Sequence, residues 1–320
     1  MPASLATAGI RLIRTLHRPP PPGTVATIGN FDGVHLGHQH LIRALARQGE
    51  QLEWPVTVIL FEPQPLEYFL GGRAPARLTR LREKAMHLRE LPVDQVLLLR
   101  FNRYLANLPA WDFIETVLAK GLGVKYLVVG DDFRFGRNRE GDFALLEAAG
   151  VRYRFEVSAT PTVEVGGMRV SSTRIREALE AGDMDLAARM LGRHYSMCGR
   201  VVAGRRQGRS LGFPTANLNP QRRKTPISGV FAVTVKGVDD RPWPGVANVG
   251  VRPTVDGSNR VLLEVHLFDF DGDLYGRYLE VCFHHKLREE MRFASVEALT
   301  EQIRQDAAKA RMLLEKNTKE

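Results

Sequence analysis

The order of the predicted strands and helices constrains the fold of this chain more than any other feature. From residue 24 onward, short runs rich in β-branched and aliphatic residues alternate with segments whose apolar residues recur at helical spacing. This alternation predicts a parallel sheet with helices on both faces, and ligands of such sheets bind beyond the carboxyl ends of the strands. The predicted strands are TVATIG (24–29), PVTVILF (55–61), QVLLLRF (95–101) and KYLVVG (125–130).

The pattern changes in the second half. Residues 172–192 predict one or two helices, and from residue 195 short strands broken by Gly and Pro follow one another, which favours an antiparallel barrel. Residues 295–316 predict an amphipathic helix that packs on the barrel. We therefore expect an α/β protein of two domains, with the parallel sheet in residues 1–184 and the antiparallel β-barrel and terminal helix in residues 185–320.

The apolar runs and the cysteine count of the chain indicate which cellular compartment to expect. No apolar run approaches the roughly 20 residues that span a bilayer, and the first residues lack the features of a signal peptide. The only cysteines, Cys198 and Cys282, are too few for a disulfide framework or a cysteine-based zinc site. We therefore expect a cytoplasmic protein without membrane contact.

The net charge of +9 raises the hypothesis of a nucleic-acid partner. The excess is spread along the chain, with 23 Lys and Arg against 20 Asp and Glu in residues 1–184, and 22 against 16 in residues 185–320. Because arginines bind phosphorylated small molecules equally well, we expect small-molecule substrates and no nucleic acid. The sequence does not determine the oligomeric state, and a homo-oligomer is one of the possibilities.

The stretch GNFDGVHLGH (29–38) lies between a predicted strand and a predicted helix. His38 should therefore lie at a helix N-terminus, which favours anions, while Gly33 and Gly37 let a ligand approach the backbone. His35 and His38 can donate hydrogen bonds to nucleotide phosphates, or one or both can simply cap the helix. A metal site is less favoured, because no cysteine and no evident third ligand accompany the two histidines.

Two further stretches of the first half carry polar groups at element boundaries. VSSTRIREAL (170–179) begins a helix with hydroxyl residues and arginines, which form either an ordinary N-cap or an anion site. GDDFRFG (130–136) follows a predicted strand, and its Asp132 either contacts a nucleotide or closes an Asx turn.

The glycine-rich stretch GRRQGRSLGFPTANL (204–218) is not a Walker A loop, because only three residues separate Gly204 from Gly208 and an arginine replaces the lysine. Thr215 and Asn217 nevertheless offer oxygen ligands for Mg²⁺, and the glycines offer backbone donors for phosphate. The alternative is a glycine-rich hairpin within the barrel.

The stretch VLLEVHLFDF (261–270) places Glu264 and His266 on one face of a strand and apolar residues on the other. A carboxylate in so apolar a strand either faces solvent or serves a function. It could accept the proton of an attacking hydroxyl during phosphoryl transfer.

Together these motifs resemble a known family. GNFDGVHLGH, GDDFRFG and VSSTRIR occur in the order of the Rossmann-like nucleotidylyltransferase module of the bacterial bifunctional riboflavin kinase/FAD synthetases. GVFAV, GVANVGVRPT, DLYG and LREEMRF follow the order of the family's riboflavin kinase module. The resemblance covers about residues 10 to 312, with small departures at 197–199 and 292–293.

The resemblance implies two ATP- and Mg²⁺-dependent reactions. In the barrel, riboflavin would attack the γ-phosphate of ATP to give FMN, with Glu264 as the base and with Thr215 and Asn217 holding Mg²⁺. In the first domain, FMN would attack the α-phosphate of a second ATP to give FAD and pyrophosphate, with His35 and His38 stabilising the phosphates. These chemistries need positioning and charge neutralisation rather than a covalent enzyme intermediate.

The resemblance also implies the residues that surround the substrates. Arg176 joins the catalytic set, and the candidates for binding ATP are Gly29, Asn30, Phe31, Gly37, Asp132, Arg169, Ser171, Ser172, Thr173, Gly204, Gly208, Arg209 and Gly212. The candidates for the flavin side are Phe61, Pro63, Arg288 and Glu290, with Asn30 considered there as well.

Three rival hypotheses predict different behaviour. A monofunctional adenylyltransferase would leave the barrel motifs without a role. A nucleic-acid-binding protein would bind duplexes in a salt-dependent manner and would not turn over riboflavin. A flavin-binding regulator would bind flavin without consuming ATP.

Overall fold

The computed structural model describes residues 9–16, 23–130, 132–204, 212–253 and 259–317. Its residue contacts divide the chain into two compact units. The first unit comprises residues 1–75 and 80–170, and the second comprises residues 76–79 and 171–320. The domain boundary predicted at residues 184 and 185 remains a prediction.

A six-stranded parallel sheet forms the centre of the first unit. Its strands are β1 Arg11–Ile13, β2 Thr24–Ile28, β3 Val56–Glu62, β4 Gln95–Arg100, β5 Val124–Gly130 and β6 Glu156–Thr160. They are ordered β1-β4-β3-β2-β5-β6, and every neighbouring pair is parallel. The parallel sheet predicted from the alternation is confirmed.

Helices cover both faces of this sheet. In strand β2, Val25 belongs to one buried cluster together with Leu45, whereas Ala26 and Ile28 belong to another together with Leu118. The helices are α1 Leu36–Leu52, α2 Pro65–Leu70, α3 Leu81–Arg89, α4 Arg103–Ala106, α5 Ala110–Phe113 with its π-helical continuation Ile114–Leu122, and α6 Phe143–Tyr153. A small antiparallel hairpin follows, formed by β7 Glu164–Val165 and β8 Met168–Arg169.

The second unit is built on a closed six-stranded antiparallel barrel, as the sequence predicted. Two helices precede it, α7 Ser172–Glu180 and α8 Met184–Leu191. The barrel strands are β9 Tyr195–Val202, β10 Ala216–Asn219, β11 Gly229–Lys236, β12 Trp243–Pro253, β13 Asn259–Leu267 and β14 Tyr278–Arg288, closed in the order β10-β13-β12-β11-β14-β9.

The terminal helix α9, Val296–Asn317, packs on the outside of the barrel. Its Ala310 and Leu314 share a buried cluster with Val230 and Phe268. This contact explains the amphipathic pattern of the helix, since its apolar stripe is covered by the barrel wall. Among the helices that the structure describes, none is both long enough and apolar enough to span a bilayer.

Candidate active sites

The strand order of the parallel sheet marks one place for a ligand in the first unit. Strands β2 and β5 are neighbours, but the chain continues from β2 to β3 on one side and from β5 to β6 on the other. A crevice forms beyond the carboxyl ends of strands at such a reversal. The stretch 29–38 follows β2 and Asp132 follows β5, so two of the predicted motifs lie at this crevice.

His35 and His38 form a stacked pair at the start of α1. His35 is the N-cap residue, and its Nδ1 accepts the backbone N–H of His38 at 3.4 Å. The two rings lie with centroids 3.6 Å apart and planes 18° from parallel, and the ring of Phe31 lies 4.8 Å from that of His38. His35 therefore does cap the helix. Because its Nδ1 is an acceptor, the proton of the neutral ring is on Nε2.

The loop before the histidines has a strained backbone. Phe31 and Val34 have φ angles of 46° and 43°, in the left-handed region that non-glycine residues rarely adopt. Both side chains are buried. Each such residue costs about 1–3 kcal/mol and persists only where its surroundings hold it, often at functional sites.

Lys84 of α3 is one of the groups that hold this loop. It is almost fully buried, and its Nζ donates to the backbone carbonyl of Asn30. Asp32, in the same loop, is also buried. Neither Lys84 nor Asp32 was among the residues predicted for the site. For Lys84 the available signal was its spacing of four from the apolar Leu88, which places both residues on one helix face.

The predicted ATP-binding residues Asp132 and Arg169 form an ion pair in the first unit. The Nη2 of Arg169 lies 3.0 Å from the Oδ2 of Asp132, and the two side chains are 47% and 74% exposed. Exposed pairs of this kind contribute about 0–1 kcal/mol. A bound nucleotide could therefore separate them at little cost.

The flavin candidates Phe61 and Pro63 lie at the end of β3, next to an aromatic cluster. The ring of Phe61 meets that of Phe101 edge-on at 5.8 Å, and Tyr68 and Phe69 of α2 lie 5.4 and 5.8 Å from Phe101. Tyr68 and Phe69 are exposed. Phe101, Tyr68 and Phe69 were not among the residues predicted for the flavin side. Exposed aromatic residues at the ligand-binding edge of a sheet offer a surface for a planar ring.

The hydroxyl-rich motif begins α7 in the second unit. Ser171 is the N-cap residue, and its Oγ accepts the backbone N–H of Arg174 at 3.3 Å. Ser172 and Thr173 form the first turn. Arg176 donates from Nε to the carbonyl of Ala76 at 2.6 Å, so its guanidinium has a structural partner.

A cavity of about 350 Å³ opens between the barrel wall and α9. Cavities of this size suit small-molecule ligands. Its polar lining contains Thr215, Glu264 and His266. Its apolar lining comes from barrel strands, from α9 and from the segments that flank β10 and α9: Val230 and Val246, then Leu299, Ile303 and Ala307, then Phe213, Met291 and Phe293.

A second cavity, of about 570 Å³, lies beside the first. It is lined by Pro214, Thr215 and Ala216, and by the turn that runs from Phe270 to Tyr275. Thr215 lines both cavities. No role was predicted for this turn beyond the match of DLYG to the family.

Strand pairing places Glu264 between two amide side chains. Asn217 of β10 is the register partner of Glu264 on one side, and Asn248 of β12 is its partner on the other. Gly204 lies so close to Asn217 that a Cβ at this position would come within 2.2 Å of the Asn217 amide. Gly212 is described, with a φ of 81°, whereas Gly208 and Arg209 lie outside the described residues.

The predicted flavin residues Arg288 and Glu290 are held at the same cavity. Arg288 donates from Nε to the Oδ2 of Asp306 in α9 at 2.9 Å, and its Nη2 lies 2.8 Å from the same oxygen in an ion pair. Both side chains are largely buried. The Oε1 of Glu290 accepts from the Nδ2 of Asn248 at 3.4 Å. Asp306 was not among the residues predicted from the sequence.

Comparison with known proteins matches both halves of the chain. A family model for FAD synthetase matches residues 17–174, and one for riboflavin kinase matches residues 191–314. Two relatives are described as bifunctional riboflavin kinase/FMN adenylyltransferase. The protein from Pseudomonas fluorescens is 53% identical over 306 residues, which cover 95% of this chain and 98% of the relative. The protein from Escherichia coli K12 is 52% identical over 302 residues, which cover 94% and 96%.

A solved structure shares the fold. A protein from Streptococcus pneumoniae, titled a macrolide-efflux protein, is 30% identical with a TM-score of 0.78. The similarity covers 92% of this chain and 96% of that one. It therefore extends through both the parallel sheet and the barrel.

Proposed function

Because the chain belongs to the bifunctional riboflavin kinase/FMN adenylyltransferase family, we propose that its two units catalyse two consecutive reactions. The second unit phosphorylates riboflavin to FMN, and the first transfers an adenylyl group from ATP to FMN, which yields FAD and pyrophosphate. The predicted family and both predicted activities are confirmed by the comparisons. The monofunctional alternative is not supported, since the relatives align over nearly the whole chain.

The placement of the kinase site is supported by one observation: Thr215 lines two cavities, and Glu264 lines one of them as well. We place the riboflavin ring against the apolar lining of the 350 Å³ cavity, and ATP in its neighbour. The 5′-hydroxyl then attacks the γ-phosphorus while Glu264 accepts the hydroxyl proton, and the bond to the bridging oxygen of ADP breaks. Arg288 and Glu290 are proposed to contact the flavin.

The polar residues of this site fit a magnesium ion that arrives with ATP. Mg²⁺ prefers hard oxygen ligands, and it is usually bound by one or two protein groups together with substrate phosphates. Thr215 and Asn217 offer such oxygens, and Glu264 faces Asn217 across the strand pair. A bound Mg²⁺ would neutralise charge on the phosphates of ATP. Gly204, Gly208, Arg209 and Gly212 remain predicted contacts of the same phosphates.

The adenylyl-transfer site is placed at the crevice between β2 and β5. There the backbone N–H groups at the start of α1, together with His35 and His38, can stabilise the negative charge that grows on the α-phosphate. A phosphate oxygen of FMN attacks this phosphorus, and pyrophosphate leaves. Asp132 and Arg169 contact the nucleotide in this proposal, and Phe61 and Pro63 contact the flavin. Two sets of predicted contacts rest on the resemblance alone: Gly29, Asn30, Phe31 and Gly37 of the first unit, and Ser171, Ser172, Thr173 and Arg176, which belong to the second.

The experiment that tests both activities is incubation of the purified protein with ATP and Mg²⁺, followed by chromatography of the flavins. Riboflavin as substrate should give FMN and then FAD, and FMN as substrate should give FAD directly. Omission of Mg²⁺ should abolish both products. Folded protein that forms neither flavin would refute the proposal. The cytoplasmic location, a flavin retained on purification and a homo-oligomer remain predictions.

A further inference from the structure

Of the two proposed magnesium ligands, Asn217 lies within strand β10 and Thr215 immediately precedes it, where the described residues show no strand pairing. Strand β10 pairs with β13 from Leu218 to Ala216, and the described pairing ends there. The residue two positions earlier, Pro214, has no N–H group to donate to a neighbouring strand. Thr215, which lines both cavities, therefore lies one residue beyond the last described pair of the ladder, where side-chain contacts can help to fix its position.

His266 supplies such a contact. Its Nδ1 lies 2.9 Å from the carbonyl oxygen of Pro214. A carbonyl can only accept a hydrogen bond, so Nδ1 must carry the proton. The ring also meets Phe213 edge-on, with centroids 5.4 Å apart and planes at 81°. One side chain thus contacts both residues that immediately precede Thr215.

His266 also lies on the same strand as Glu264, the proposed base. It lies two residues after Glu264 on the same face of β13, and both line the same cavity. The other face of this strand is buried, with Leu263 and Val265 almost fully covered. The buried face sets the position of the strand, and the hydrogen bond to Pro214 transmits that position to Thr215.

We propose that His266 is a positioning residue of the riboflavin kinase site, which sets the distance between Thr215 and Glu264 through its hydrogen bond to Pro214. The proposal rests on the kinase function proposed above. It assigns His266 no contact with a reacting atom. Loss of this hydrogen bond should weaken the use of MgATP, because Thr215 is the group that moves.

The test compares two amide substitutions, H266N and H266Q. Asparagine carries its amide nitrogen near the place of Nδ1, whereas glutamine carries it near the place of Nε2, so only H266N can restore the bond to Pro214. Riboflavin phosphorylation is measured while MgATP and riboflavin are varied in turn, and adenylylation of supplied FMN is measured on the same samples.

We expect H266Q to raise the KM for MgATP by about five- to tenfold, as for the loss of one hydrogen bond. The KM for riboflavin should change less, and adenylylation of FMN should be unchanged. H266N should stay within about twofold of the wild type in all three. Partial misfolding lowers the active fraction and hence kcat, and it leaves KM unchanged, so KM is the deciding quantity.

Two results would overturn the proposal: a KM for MgATP in H266Q equal to that of the wild type, or equal effects of H266N and H266Q on this KM. Failure of the proposed kinase function would be distinct. In that case the wild-type protein itself would form no FMN from riboflavin.

Discussion

The ion pair between Arg288 and Asp306 is expected to couple the terminal helix to riboflavin binding. Asp306 accepts hydrogen bonds from the Nε of Arg288, at 2.9 Å on Oδ2 and 3.2 Å on Oδ1, and a further one from Gln302 at 3.0 Å. The Nη2 of Arg288 lies 2.8 Å from Oδ2 in an ion pair. The side chains of Asp306 and Arg288 are only 6% and 17% exposed. The substitution D306N keeps the shape of the side chain and one acceptor oxygen, but it removes the charge and turns an N–H₂ donor toward the guanidinium.

The size of the effect follows from the burial of the pair. Removing one partner of a fully buried ion pair costs about 3–5 kcal/mol, because the other charge is left without compensation. Arg288 keeps some access to water, and the amide keeps one acceptor. We therefore expect a cost of about 2–3 kcal/mol. Because α9 supplies Leu299 and Ile303 to the cavity wall, the KM for riboflavin should rise about tenfold or more.

A matched control lies on the same helix. Arg311 of α9 pairs with Asp269 at 2.7 Å, but these side chains are 44% and 77% exposed. Pairs so exposed contribute about 0–1 kcal/mol, so D269N should leave the KM for riboflavin within about twofold of the wild type. The measurements are riboflavin phosphorylation at saturating MgATP, urea unfolding, and adenylylation of FMN, which neither variant should change. If D306N and D269N gave the same KM for riboflavin, burial of the Arg288–Asp306 pair would not couple α9 to riboflavin binding.

Three further predictions test other parts of the molecule. H38A should abolish FAD formation and leave FMN formation intact. E264A should block phosphorylation of riboflavin and leave adenylylation of supplied FMN intact. A folded variant that loses both activities would contradict the assignment of one site to each unit. K84M should lower adenylylation about tenfold or more, since the carbonyl of Asn30 loses a buried donor, and phosphorylation measured on the same sample should not change. Burial, and then the charges of His194, His285 and Lys236, lower the pKa of His284 to about 4. The unfolded chain binds a proton on His284 near pH 6.5, whereas the folded protein does not bind it until about pH 4. The contribution of His284 to the free energy of unfolding is therefore fully present above pH 6.5 and is lost as the pH falls toward 4. Since His284 is partly exposed, the free energy of unfolding should fall by about 1–2 kcal/mol between pH 7.5 and pH 5. Urea unfolding at the two pH values measures this change. An H284Q variant with an equally steep pH dependence would refute His284 as its cause.

Elements with a repeating local pattern were predictable from the sequence. The alternation of strands and helices predicted the parallel sheet, and the period of two in residues 261–267 placed Glu264 and His266 opposite buried residues, as the structure has them. Strands β1, β6 and β10 were not predicted. β1 and β10 have only three and four residues, and β6 carries Glu, Ser and Thr at partly exposed positions. Their pairing partners, rather than their own sequences, make them strands.

The sequence by itself determined the two-part architecture, the family and the motifs from which the candidate residues were drawn, because periodicity and motif spacing are local properties of the chain. The roles of those residues remain predictions. Only the tertiary structure decided that Asn217 faces Glu264, that Thr215 lies between two cavities, and that Asp306 reaches Arg288. These contacts depend on strand register and on where the terminal helix packs. Both are set by burial of side chains distant in sequence, which no local pattern records.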